Sequence, residues 1–240
     1  MLPRLFVVCL LLCLAGRVSA QEKKDDPHWI ITAECQMILV PQKLALELIP
    51  ELSDDGKIDT SWERGQKLIV QGEIEVLGKL LLKGDADEKM VAESIEEMRY
   101  PIRFDTPNIP HDLSKQNALE VLKAWPAVAV IPTSFETRNI GQTLEMETFV
   151  SDDGQWIDMN VVAQHIRFLR WVKFDAGRLA NGERLSIEQP HMHVLRNTQS
   201  LRMRNGQRVL LGVHRPPEPN QKSFELFVLQ VKATKAGTEK

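Results

Sequence analysis

The chain lacks a long apolar run. Its one sustained hydrophobic stretch, Leu5 to Leu14, falls short of the roughly 18 apolar residues a membrane-spanning helix needs. It also lacks a block of like charge. The 30 Lys and Arg residues and 33 Asp and Glu residues are mixed along its length, which disfavours a nucleic-acid partner. Cysteine is scarce, with 3 in 240 residues. Cys9 and Cys13 lie in the first twenty residues, so Cys35 alone remains beyond them, without an intrachain disulfide partner. A lone cysteine inside a predicted strand reads as a small buried hydrophobe. There is no Gly-rich phosphate loop, no Walker pattern and no nucleophile elbow around Ser134 or Ser200. No internal repeat or low-complexity tract is visible. These absences point away from nucleotide-dependent and serine-hydrolase chemistry: no catalytic residue, cofactor site or small-molecule substrate is evident.

Arg4 ahead of the apolar run, and Val18-Ser19-Ala20 ahead of Gln21, have the layout of a signal peptide over residues 1–20. Its removal takes two arginines and moves the net charge from −3 to about −5. A lipid-attachment site is not expected, because Leu12 precedes Cys13. Residues 21–28 read as a flexible charged leader. Residues 29–234 read as a single domain, mixed α/β over 29–126 and all-β over 127–234, followed by a tail at 235–240.

Within that domain, Trp29 to Val40 predicts a strand ended by Pro41. Leu44, Leu48 and Leu52 stand at helical spacing, with Pro50 limiting that helix. Thr60 and Glu63 make a capping-box pattern ahead of a second helix closed by Gly72. The period then changes to two, with strands expected over Ile74–Leu82 and Val91–Phe104. Ala118, Val121, Leu122 and Trp125 form one stripe of a third helix from Ser114 to Trp125. From Ala127 onward, strand follows strand. Leu144, Met146, Thr148 and Val150 alternate with Glu145, Glu147 and Phe149, and Ile157, Met159 and Val161 alternate with Asp158 and Asn160. Asn205-Gly206 between two strand-like runs predicts a tight hairpin. The expected fold is β-rich α+β, its antiparallel sheets built of long amphipathic hairpins, with two or three short helices in the N-terminal half.

Candidate chemistry is sparse. His191 and His193 are two apart and share a strand face, a spacing compatible with two metal ligands that His165 or His214 would complete. No carboxylate or cysteine stands at ligand spacing nearby, and strand alternation alone produces such pairs, so no metal site is assigned. A pH-responsive pair is the other reading. Asp54-Asp55 and Asp152-Asp153 precede glycines and read as turn residues. The aromatics Phe149, Trp156, Phe168, Trp171 and Phe174 cluster in one segment. They read either as sheet core or, for Phe149, Trp156, Phe168 and Trp171, as a membrane-interface belt on strands long enough to cross a bilayer.

The order of the hairpins resembles that of bacterial secretins. In "ETRNIGQTLEMETFVSDDGQWIDMNV", the positions Ile140-Gly141, Leu144, Glu145, Val150, Asp153-Gly154 and Ile157 match a long strand opened by a Val-Gly or Ile-Gly element, an Asp-Gly turn and a returning strand. In "QPHMHVLRNTQSLRMRNGQRVLLGV", Pro190, Gly206, Gln207, Val209 to Leu211 and Gly212 match the next unit. "FELFVLQVKA" is similar to the final strand. "IEVLGKLLLKGDADEKMVAESIEEMRYPIRF" is similar to the strand, turn and tyrosine-bearing strand upstream, so the resemblance covers roughly residues 30 to 234. The chain departs at Val213, where the family has a second Gly, and in the short polar "HRPPEPNQKS".

The resemblance implies a shortened relative of the outer-membrane multimers through which type II and III secretion systems, type IV pili and filamentous phage pass their cargo. Each subunit of such a multimer gives hairpins to a shared double-walled barrel. It implies a non-enzymatic structural or pore-forming component of the periplasm or outer membrane, without full channel activity alone. Partners would be copies of itself or other envelope secretion proteins. Gly141, Gly154, Asn205, Gly206 and Gly212 would be its turn and motif residues. The alternative is a soluble periplasmic binding or assembly module that uses the same fold as a monomer or dimer.

Overall fold

The computed structural model describes residues 28–105, 131–178, 184–217 and 222–237. The elements, in chain order, are β1 (Trp29–Pro41), α1 (Gln42–Leu52), α2 (Ile58–Val70), β2 (Glu75–Asp85), β3 (Lys89–Asp105), β4 (Ile131–Val150), β5 (Trp156–Arg178), β6 (Arg184–Arg204), β7 (Arg208–His214) and β8 (Ser223–Lys235). They form two four-stranded antiparallel sheets, β2-β1-β8-β7 and β3-β4-β5-β6, and the fold is the expected β-rich α+β. The helix expected over Ser114–Trp125 and the signal peptide lie outside the described residues.

The first sheet is covered on both faces, and its sequence reflects that. Along β1, Ile31, Ala33, Cys35 and Met37 pack against the second sheet, while Ile38 and Val40 pack under the helices. In β8, Phe227, Leu229 and Val231 face the second sheet and Leu226 and Val228 face the helices, so "LFVLQV" shows no alternation. On the helix side, Ala45, Leu48 and Leu52 of α1 and Ile58 and Trp62 of α2 complete a second, smaller core. The other sheet is covered on one face only and alternates cleanly. Leu144 and Met146 on β4 and Ile157, Met159, Val161 and Ala163 on β5 point inward, between outward Glu145, Glu147, Asp158 and Asn160.

Two local expectations need correction. The helix α2 starts at Ile58 with Lys57 as its N-cap and no side-chain cap, so Thr60 lies inside it and no capping box forms. The preceding turn explains this. The Asp54 carbonyl accepts the amides of Lys57 and Ile58 at 2.9 Å each, winding the chain early, and Ile58 is drawn into the core. Pro50 stays within α1, exposed and two residues from its end, where only one helical hydrogen bond is forgone.

The second correction concerns Asn205-Gly206. The flanking strands do not pair with each other: β6 pairs with β5 and β7 with β8, so the turn carries the chain from one sheet to the other. The Gln207 amide donates to the Arg204 carbonyl at 3.0 Å, and Gly206 alone of the two central residues has a positive φ, of 83°. That is a type II pattern, whereas the hairpin turn of type I′ requires positive φ at both. The strands β2 and β3 likewise lie in different sheets, joined by a short crossing in which Asp87 takes φ 65°.

The Asn205 side chain holds the crossing. Its Nδ2 donates to the carbonyls of Gly154 and Ala233, both at 2.9 Å, and its Oδ1 accepts the Ala233 amide at 2.8 Å. Its own amide donates to Gln155 O at 2.8 Å. One residue thus ties the β4–β5 turn to β8. Beside it, the Trp29 ring lies so close to Gly154 that a Cβ there would overlap it. Asn205→Ala removes three hydrogen bonds and strands their backbone partners, and should cost about 2–4 kcal/mol. Gly206→Val, which meets open space but an unfavourable φ, should cost about 1 kcal/mol or more. Urea unfolding midpoints test both; an unchanged midpoint in Asn205→Ala would remove the side-chain role of Asn205.

Candidate functional site

The strands of the second sheet are far longer than those of the first: 20, 23 and 21 residues for β4, β5 and β6, against 13 for β1 and β8. At about 3.3 Å per residue this is an overhang of roughly 23–33 Å. All the short crossings between the sheets lie at the Asn205 end, so the excess emerges at the other.

There the sheet divides. The β4–β5 ladder runs from Val150↔Ile157 to Gly141↔Ile166 and stops. Beyond that point β4 pairs only with β3, and β5 only with β6, giving two separate ribbons. Two backbone features stand at the fork. Gly141 has φ 125°, and a Cβ there would run into the Ser94 carbonyl of β3. On β5, the register with β6 shifts between Phe168 and Arg170.

Immediately inside the fork lies a buried polar cluster. Glu225 of β8 is 1% exposed, the buried carboxylate among the described residues. Arg167 of β5 donates from Nη2 to its Oε1, an ion pair that bridges the two sheets. His165 Nδ1 stands 4.0 Å from Glu225 Oε2. His193 of β6 is registered against Arg167, and His214 of β7 against Glu225. Burial first, then the Arg167 guanidinium and His193, push the His165 pKa down to about 4. Burial also lowers that of His214, whose Nε2 lies 3.1 Å from Asn197 Oδ1. His165 is therefore neutral at pH 7 beside a charge-balanced pair.

The histidines suggested by the sequence are thus partly brought together. His193 faces Arg167 and His191 faces Arg170 across the ribbon, so each imidazole has a cation opposite it. Among the described residues, no group of three or more His, Cys, Asp or Glu is placed to hold a metal ion. Cys35 is fully buried, and burial pushes its thiol up to about 12. Asp153 caps the β4–β5 turn, accepting from Ser151 Oγ at 2.6 Å and the Gln155 amide at 3.0 Å. Asp54 Oδ1 accepts the Gly56 amide at 2.9 Å. Gly212 sits at a register shift in β7, against Asn197 and His214.

The aromatics separate into two places. Phe168 and Trp171 pack together on the outer ribbon face, centroids 5.4 Å apart, opposite Met192 and Pro190. Val194, more than half exposed, and Ile166 extend this apolar patch. Phe149 and Trp156 lie at the opposite end of the sheet. Their neighbours there are charged: Arg202 donates twice to Asp158 at 2.7 Å, and the Arg204 guanidinium sits 5.6 Å from the Trp156 ring centroid.

Arg167 and Glu225 were not singled out from the sequence. A signal existed, since Glu225 is the one acid of β8 and interrupts its apolar run between Phe224 and Leu226. The pair should behave as a unit. Arg167→Met alone should destabilise by about 3 kcal/mol, because it leaves a buried carboxylate uncompensated, and Glu225→Leu alone should also be costly. The double variant should recover most of that loss. Additive losses in a denaturant-based double-mutant cycle would refute the coupling.

No protein-family model and no curated protein matches the sequence. Among solved structures, the chain is similar to the Salmonella type III secretion injectisome secretin InvG, at 10% identity and a TM-score of 0.39, over 86% of this chain and 63% of that one. It is similar to the V. cholerae type IV competence pilus secretin PilQ, at 12% identity and 0.38, over 86% and 60%. A third is the type II secretin GspD of enteropathogenic Escherichia coli, at 8% identity and 0.35, over 88% and 68%. The chain thus spans less than two thirds of the first two, and the solved structures it is similar to are secretins.

Proposed function

We propose that this protein is a secretin-related component of the cell envelope that works as a cyclic array of copies. The observation that carries this reading is the placement of the strand edges. The first sheet ends in β2 and β7, the second in β3 and β6, and short crossings join β2 to β3 and β6 to β7. Each flank of the sandwich therefore carries one open edge from each sheet. An open edge invites pairing, and among the described residues no strand pairs with the outer edges of β2, β7, β3 or β6. Rotation about a common axis brings β7 beside the next copy's β2 and β6 beside its β3, removing four edges at once and building two concentric walls. The order of hairpin motifs supports the same assignment. The apolar patch at Phe168 and Trp171 is the part of the array suited to a lipid interface, and Gly141, Gly154, Asn205, Gly206 and Gly212 set the turns and bends that shape each copy.

A second reading, a soluble periplasmic binding or assembly module, is favoured by one observation. The outer face of the second sheet carries ion pairs between Phe149 and Phe168, among them Lys89–Glu145 at 2.7 Å and Asp158–Arg202 at 2.7 Å, which suit water better than lipid.

Run unheated on a denaturing gel and by gel filtration with light scattering, the protein is expected to migrate as a heat-labile multimer. A monomer at all concentrations up to about 100 μM would overturn the array and leave the soluble module. The variant Phe168→Ser/Trp171→Ser should keep the multimer and lose co-fractionation with membranes. Unchanged fractionation would remove the lipid-interface role from that patch.

A further inference from the structure

The buried cluster stands where the second sheet stops being a sheet. Beyond Ile166 the β5–β6 ribbon has no β4 beside it, and a two-stranded ribbon is at best marginally stable in water by itself. Its tie to the first sheet at that point is the Arg167–Glu225 pair, and further out Gln189 Nε2 reaches the Pro101 carbonyl of the other ribbon at 2.7 Å. We propose that His165, Arg167 and Glu225 form an acid-released latch, which holds the β5–β6 ribbon (167–178 with 184–194) against the first sheet at neutral pH and frees it to swing about the fork when His165 is protonated. The proposal concerns a single copy of the chain, whose β6 edge is not paired with a neighbour's β3.

The reasoning is electrostatic. With His165 neutral, the charges of the described residues in the pocket are one guanidinium and one buried carboxylate, which balance. A proton on His165 adds a second cation beside Arg167, leaving an uncompensated positive charge in a site with little access to water. Swinging the ribbon out hydrates all three groups. Among the described residues, the other elements facing the pocket do not offer a buried second carboxylate. From β6 comes His193, from β7 His214, and from β4 the uncharged Gln142, registered against His165. Glu75 of β2 shares the row of Glu225 with Leu39 between them, and Glu96 of β3 lies one row further out; both are exposed.

The direction with pH follows from the His165 shift. Its pKa is near 4 in the closed structure and 6.5 when free. The open form therefore takes up the proton first: closure is fully favoured above pH 6.5 and is lost as pH falls through about 4. Between those limits the open fraction should rise by up to about tenfold per pH unit.

Hydrogen exchange read by mass spectrometry, corrected for the intrinsic pH dependence of exchange, tests this on the full chain. Between pH 7 and pH 4.5, peptides from 166–178 and 184–194 should lose protection by about tenfold or more, while those from 157–163 and from β1 and β8 keep theirs. His165→Gln should flatten the ribbon's response, and Glu225→Gln should leave the ribbon open at pH 7. Unchanged ribbon protection in the wild type, loss shared equally by both sheets, or an undiminished response in His165→Gln would each overturn the latch. If a variant fails to fold, the wild-type profile decides: local loss supports the latch, and uniform or absent loss ends it.

Discussion

The structure depends on where the chain is allowed to cross between its two sheets. Both short crossings, and the Asn205 amide that secures one of them, are at the same end. A single asparagine meets the backbone of the β4–β5 turn and of β8 at once, and all three hydrogen-bonding groups of its amide head that are used find backbone partners. Such groups would otherwise be buried unpaired, which is why the geometry at this end is tightly set. With the sheets joined there, any mismatch in strand length has to appear at the other end.

That mismatch is the origin of the fork. The first sheet is sandwiched between helices and the second sheet, so its length is limited by what can be covered. The second sheet has no such limit and outgrows it. Where the covering sheet ends, so does the apolar core, and the inward positions become polar: Ala163 and Leu195 give way to His165, Arg167 and His193. Gly141 and the β5 register shift let the strands part at this boundary. The buried charges and the divergence of the ribbons are therefore one feature, the end of hydrophobic coverage.

The same construction bears on function. With helices over the first sheet, the edges left among the described residues are those of β2, β7, β3 and β6, and these are the edges through which copies would pair in the proposed array. Ion pairs such as Lys89–Glu145 and Asp158–Arg202 line the part of the second sheet's outer face between Phe149 and Phe168, while exposed apolar residues recur on both ribbons, among them Ile102 and Phe135 on one and Trp171, Phe174 and Val194 on the other.

Periodicity alone determined the β-rich class, most strands and both described helices, because alternation and helical spacing record burial directly. It located the turns at Asp153-Gly154 and Asn205-Gly206, whose residue types are dictated by backbone conformation. It could not tell which strands pair. Asn-Gly reads as a hairpin whenever strands flank it, yet here those strands separate into two sheets, a choice made by the cores on either side of β8 and by the partners Asn205 finds in distant backbone. Nor could it join Arg167 to Glu225, 58 residues away, since an ion pair between sheets leaves no local pattern. Local chemistry is written along the chain. The meeting of side chains across a sandwich is decided only when both sheets are packed and water is excluded between them.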